Sequence, residues 1–155
     1  MTDAPAGRPL YAPFRPRAAR IVAWVLLVAV IVATLVLAIG APVWLRADRF
    51  TLGDQTGTVL LGAAICWVIF RQLTVRIVPD DEGLTVRNII HTTRLSWPQV
   101  VAVRFGPDQP WARLDLSDGS TLSAMGIQSA DGDFARAESR RLATLVALHE
   151  PTEDD

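Results

Sequence analysis

Residues 21–45 read IVAWVLLVAVIVATLVLAIGAPVWL, 25 consecutive residues without a charged side chain. About 20 apolar residues suffice to cross the ~30 Å hydrocarbon core of a bilayer. A chain of 155 residues has no soluble core large enough to demand such a run. The stretch is therefore predicted to be a transmembrane helix. Trp24 and Trp44 stand at its two ends, where interfacial belts favour aromatic rings. A secretory signal cleaved near Ala38-Ile39-Gly40 is the competing reading, but its apolar region normally runs to roughly 7–15 residues, and an uncleaved anchor fits the length better.

Before this run, residues 1–20 carry four arginines (Arg8, Arg15, Arg17, Arg20), one aspartate and four prolines (Pro5, Pro9, Pro13, Pro16). Prolines at that spacing deny a helix, and the stretch is predicted to be a disordered basic tail. After it, residues 46–54 form a short polar loop whose charges balance. Residues 55–70 are again uncharged and are predicted to be a second, shorter span, with Trp67, Phe70 and Arg71 at its end. Small residues recur at four-residue spacing (Ala29 and Ala33, Gly53 and Gly57, Gly62 and Cys66), a pattern suited to close helix contact. Basic residues flank the pair of spans and thin out between them. By the positive-inside rule both termini then lie in the cytoplasm of a bacterial plasma-membrane protein. All fifteen basic residues are arginine, as a GC-rich genome would favour.

From Leu73 the apolar period changes from helical to two. Leu73, Val75 and Ile77 alternate with polar neighbours, Pro79-Asp80-Asp81-Glu82-Gly83 makes a turn, and Leu84, Val86, Asn88 and Ile90 continue the pattern. Strands are also predicted at Thr93–Trp97, Val100–Phe105, Trp111–Leu116 and Thr121–Met125, the last two joined by an Asp118-Gly119 hairpin. Trp97 should be buried with Leu95, Val101, Val103 and Phe105, while Trp111 faces the other way. A helix is expected over residues 132–149, capped by Asp131 or Ser129, with Phe134, Ala137, Leu142, Leu145 and Leu148 on one face. The expected architecture is a two-helix transmembrane hairpin, then a small mainly-β barrel or sandwich over residues 71–149 with a C-terminal α-helix. Residues 150–155 read as an acidic tail.

Leu95–Phe105, LSWPQVVAVRF, together with Asp81–Asn88, Trp111–Leu114 and the terminal helix, resembles the membrane-anchored bacterial pleckstrin-homology-like (PH-like) family. The resemblance covers about residues 73–148 and implies a barrel of seven strands, one more than the six counted here. It implies little about function. The phosphoinositide-binding members use a basic loop after the first strand, whereas Asp80-Asp81-Glu82 is acidic here, so no binding residue carries over.

Chemistry is scarce. The single cysteine, Cys66, lies in an apolar segment. His91 reads as a turn residue and His149 as a fraying helix end, and no metal-ligand cluster, phosphate loop or nucleophile elbow is present. No catalytic residue, cofactor or metal is expected, and the chain is not expected to be an enzyme. Residues 71–155 carry nine arginines against thirteen acids, a balance that argues against nucleic acid and against tight binding of the isolated domain to anionic liposomes. One constellation stands out. If the acidic turn closes a hairpin, Arg76 falls opposite Arg87, with Arg71 near in sequence. These three are the candidate contacts for an anionic partner, a lipid headgroup or an acidic protein segment. Two roles fit: a membrane-anchored binding or scaffold module for a protein partner, or an accessory subunit that binds through its transmembrane hairpin.

Overall fold

The computed structural model describes residues 9–44 and 51–149, and they divide into two units. Two helices precede a six-stranded antiparallel domain of two sheets, closed by a C-terminal helix.

The helical unit begins with α1 (Ala18–Leu35), which passes through a π-helical stretch, Val36–Gly40, into the short α2 (Ala41–Trp44). The widened turn has a local cause. Residue 42 is proline and brings no backbone N–H to the carbonyl of Ala38. The side-chain amide of Gln55 donates to that carbonyl instead, at 2.9 Å. Gln55 belongs to α3 (Leu52–Leu73), a helix of 22 residues. At about 1.5 Å per residue it is roughly 33 Å long, longer than the uncharged run 55–70 suggests, and it absorbs Leu73, which the alternation had assigned to a strand. The helices meet at Gly62, where an added Cβ would lie 2.3 Å from the Thr34 hydroxyl. Gly62 thus serves as a small contact residue, but Ala29 and Ala33 are exposed and take no part.

The β unit contains β1 (Arg76–Pro79), β2 (Gly83–Arg87) and β3 (Thr92–Ser96) in one sheet, and β4 (Val100–Arg104), β5 (Trp111–Leu116) and β6 (Thr121–Gln128) in the other. Ile77, Leu84 and Val86 point inward and are fully buried, as their alternation predicts. β6 reaches from the second sheet to the first. A Cβ at Gly126 would lie 2.9 Å from Ile77 Cγ1 and 3.0 Å from its backbone nitrogen, tighter than ordinary contact, so the close approach favours glycine. Asn88 ties the same seam: its amide donates to the Ser123 carbonyl and its oxygen accepts from the Met125 N–H.

The helix α4 (Asp133–Leu148) covers the core with Ala135, Leu142, Leu145 and Val146. Its buried face is rotated from the expected one. Ala137 and Leu148 are exposed, while Glu138 and Ser139 are buried. Trp97 is buried as expected, in a 3-10 turn (Trp97–Gln99) between the sheets, and its indole N–H donates to the Asp80 carbonyl. Val101 is the error in that cluster. A bulge between Val100 and Ala102 shifts the phase, so Val100 is buried and Val101 is 54 % exposed.

The largest departure concerns the supposed disordered tail. Its described part, from Pro9, belongs to the β unit. Phe14 is fully buried in the hydrophobic core beside Ile77, and Pro16 is also fully buried. Composition misleads here because only the anchoring residues need be apolar in an extended segment whose backbone is satisfied by a neighbour. The rest of the tail, residues 1–8, and the expected acidic tail 150–155 lie outside the described residues, as does most of the loop 46–54.

Candidate functional site: a docked N-terminal segment and a row of arginines

Phe14 exchanges two backbone hydrogen bonds with Ile77, its N–H donating at 2.9 Å and its carbonyl accepting at 3.0 Å. The N-terminal segment thereby occupies the outer edge of β1. It stands where a seventh strand could be sought, although the contact is a single bridge.

Arg141 of α4 holds the segment from the other side. One Nη1 donates to the carbonyls of Pro9, Leu10 and Ala12 at 2.8–2.9 Å, Nη2 donates to Glu138 at 2.8 Å, and the guanidinium lies 3.8 Å above the Phe14 ring. This ion pair is nearly inaccessible. Its planar fork suits several carbonyls at once, and the segment needs no particular side chain to be gripped in this way. Here lies the reason Glu138 is buried.

Two further contacts correct the sequence expectations. Asp131 does not cap α4, whose N-cap Gly132 has no side-chain bond. Its carboxylate accepts from the N–H groups of Arg17 and Ala18 at the start of α1, an N-terminal location that favours negative charge. Arg17 also stacks on Phe134. His149 is no fraying end. Its ring stacks on Trp97, with centroids 4.4 Å apart, and its Nδ1 donates to the Leu145 carbonyl. Its Nε2 is hydrogen-bonded to the Tyr11 hydroxyl, at 3.0 Å. His91 is exposed, in the turn where it was expected.

Of the candidate anionic contacts, the register places Arg76 directly opposite Arg87, as counting across the turn predicts. Ile77 and Val86 fill the inward positions of these strands, so both arginines lie on the outward face. Arg71 is on α3, in the helical unit. An arginine of the N-terminal segment joins the pair instead. Antiparallel counting from the Phe14–Ile77 bridge sets Arg15 beside Arg76, making a row Arg15–Arg76–Arg87. The signal was present in the period-two pattern of Phe14 and Pro16 against Arg15 and Arg17.

Charge is distributed along the sheet. At the far end of the β1–β2 hairpin, Asp80 accepts from the N–H groups of Glu82 and Gly83 and receives both Nη atoms of Arg94, at 2.7 and 3.0 Å. The Arg94 guanidinium, with the turn N–H groups, holds the Asp80 carboxyl below the usual carboxylate range. The acidic turn is thus partly neutralised from within. Among the described residues, none of Arg15, Arg76 and Arg87 makes an ion pair, and the Arg87 Nε is buried without a hydrogen-bond partner. Like charges side by side across strands are unfavourable without a counter-charge. No three potential metal ligands converge among the described residues.

A family model described as Bacterial PH domain matches residues 74–144. Uncharacterized proteins of Mycobacterium tuberculosis (strain ATCC 25618 / H37Rv) and of Mycobacterium bovis (strain ATCC BAA-935 / AF2122/97) are each 32% identical over 146 residues, covering 93% of this chain and 89% of their own length. Residues 74–144 form a bacterial PH domain, and the chain as a whole belongs with these mycobacterial proteins. Alignments of that extent take in both apolar helices as well as the PH domain. No solved structure matches.

Proposed function

We propose that the chain is a two-pass protein of the bacterial plasma membrane that holds its PH domain at the cytoplasmic surface as a non-enzymatic binding module for a protein partner. One observation carries this reading: the PH unit is built from chain on both sides of the apolar helices. The segment ending at Ala18 and the residues from Thr74 onward form one unit. Both ends of the intervening chain must therefore lie on the same side of any membrane it enters. If α1 crosses, α3 has to cross back, which supports a span for the shorter second segment.

Exposure supports the membrane itself. Ala18–Gly40, which is α1 with its π-helical end, and α3 are long and apolar enough to span, yet their large side chains are not covered: Ile21 of α1 is 66 % and Trp67 of α3 65 % exposed. Core helices of a soluble protein bury such residues, at about 1.5–3 kcal/mol each. The arginines before Ala18 and after Leu73 favour the cytoplasmic side. For a protein partner the domain offers β3, which ends its sheet and in which every residue but Leu95 is exposed or half-exposed, an edge open to an added strand.

Single cysteines in a Cys66→Ser background test the topology. Phe50→Cys should react with a membrane-impermeant maleimide in intact cells, and a cysteine appended to the C-terminus only after permeabilisation. A C-terminal cysteine labelled in intact cells overturns the reading.

A further inference from the structure

We propose that Arg15, Arg76 and Arg87 form a site for the phosphate of an anionic membrane lipid, a proposal that rests on the two-pass reading. Three independent observations meet at this row. The first is its composition: three arginines adjacent across strands, outward-facing and without an ion-pair partner among the described residues. The planar guanidinium fork presents paired donors that fit phosphate oxygens well.

The second is its place in the chain. Arg15 precedes Ala18, the first residue of α1, by three positions, and Arg76 follows Leu73, the last residue of α3, by three. Three extended residues reach at most about 11 Å. With both helices ending at the membrane boundary, the row is tethered from both directions to within headgroup distance. The third is polarity along the sheet. The acidic turn Asp80–Glu82, with its Arg94 clamp, stands at the opposite end of the same hairpin, so the end nearest the helices in sequence is the basic one. A negative leaflet attracts one end of the domain and repels the other, which orients it even though residues 71–155 are acidic overall.

A free phosphate would offer the same oxygens, so the test separates the two sources. Full-length protein in mild detergent is incubated with equimolar phosphatidylglycerol and phosphatidylcholine, and retained lipid is counted by native mass spectrometry. Wild type should prefer phosphatidylglycerol about thirtyfold, the size that two arginines near an anionic surface supply. Arg76→Gln with Arg87→Gln should abolish the preference, and Arg46→Gln with Arg49→Gln, between the two helices, should keep it. Because Arg76→Glu would pair with Arg87, it should melt no lower than wild type and still lose the preference, which separates binding from folding. An unchanged preference in the double variant, or none in wild type, overturns the site. Competition by millimolar glycerol phosphate would assign it to a soluble ligand and overturn the lipid. Release of the protein from membranes by alkaline carbonate would instead overturn the two-pass reading beneath it.

Discussion

Replacing Phe14 by alanine tests whether residues ahead of the first helix belong to the PH core. Phe14 is fully buried and packs in the same cluster as Ile77, Leu84 and Leu145. Truncating a buried phenylalanine costs about 3–5 kcal/mol through lost transfer energy and the cavity left behind. The stacking of Arg141 on its ring disappears as well. A small domain is stable by about 5–15 kcal/mol in all, and each kcal/mol moves the melting point of one this size by about 4–8 °C. A fall of about 12–40 °C is therefore expected. The assay is near-ultraviolet circular dichroism of full-length protein in detergent, which follows buried Trp97 and is insensitive to helices that detergent preserves. If residues 9–17 only lay on the surface, the variant would melt within about 2 °C of wild type, and that result would refute the reasoning.

Protonating Asp80 should weaken the first hairpin. Its folded pKa is depressed, chiefly by Arg94, so its contribution is present above the unfolded value of about 3.9 and is lost as pH falls through the lower folded value. Asp80→Asn should lower the melting point at pH 7, with the gap to wild type closing below about pH 4; a gap constant down to pH 2.5 would contradict this. Gly62→Leu should drive α1 and α3 apart, costing about 1–3 kcal/mol by overpacking, because the new Cβ would lie 2.3 Å from the Thr34 hydroxyl. Thermal stability in detergent should fall, and Gly62→Ala should be tolerated better once Thr34 is alanine.

The hairpin register was readable because side-chain alternation and a turn rich in Asp and Gly both constrain it, and Arg76 opposite Arg87 follows from those two signals alone. Trp97 was readable for the same reason. Val101 was not, since a bulge adds a residue to one strand without any composition cue. Asp131 was assigned to the helix nearest in sequence, but the helix start that needed an acceptor was Ala18, more than a hundred residues away. Glu138 was invisible as a core residue because its burial depends on Arg141, and Arg141 is buried only because three carbonyls of the N-terminal segment surround it. The segment itself was hidden by its prolines and arginines. Its edge pairing uses backbone groups, which carry no sequence signature, and only Phe14 and Pro16 betray the inward face.

The most direct test of this account is a disulfide across the docked edge. Antiparallel counting from the Phe14–Ile77 bridge places Arg15 beside Arg76, where neighbouring Cα atoms are about 4.5–5.5 Å apart, within the reach of a disulfide. Arg15→Cys with Arg76→Cys, in a Cys66→Ser background, should close an intramolecular bond when isolated membranes are oxidised, and Arg15→Cys with Arg87→Cys, one strand further, should not. Failure of the first pair to cross-link, or its appearance only as a dimer, would contradict the claim that the segment before the helices completes the core of its own PH domain.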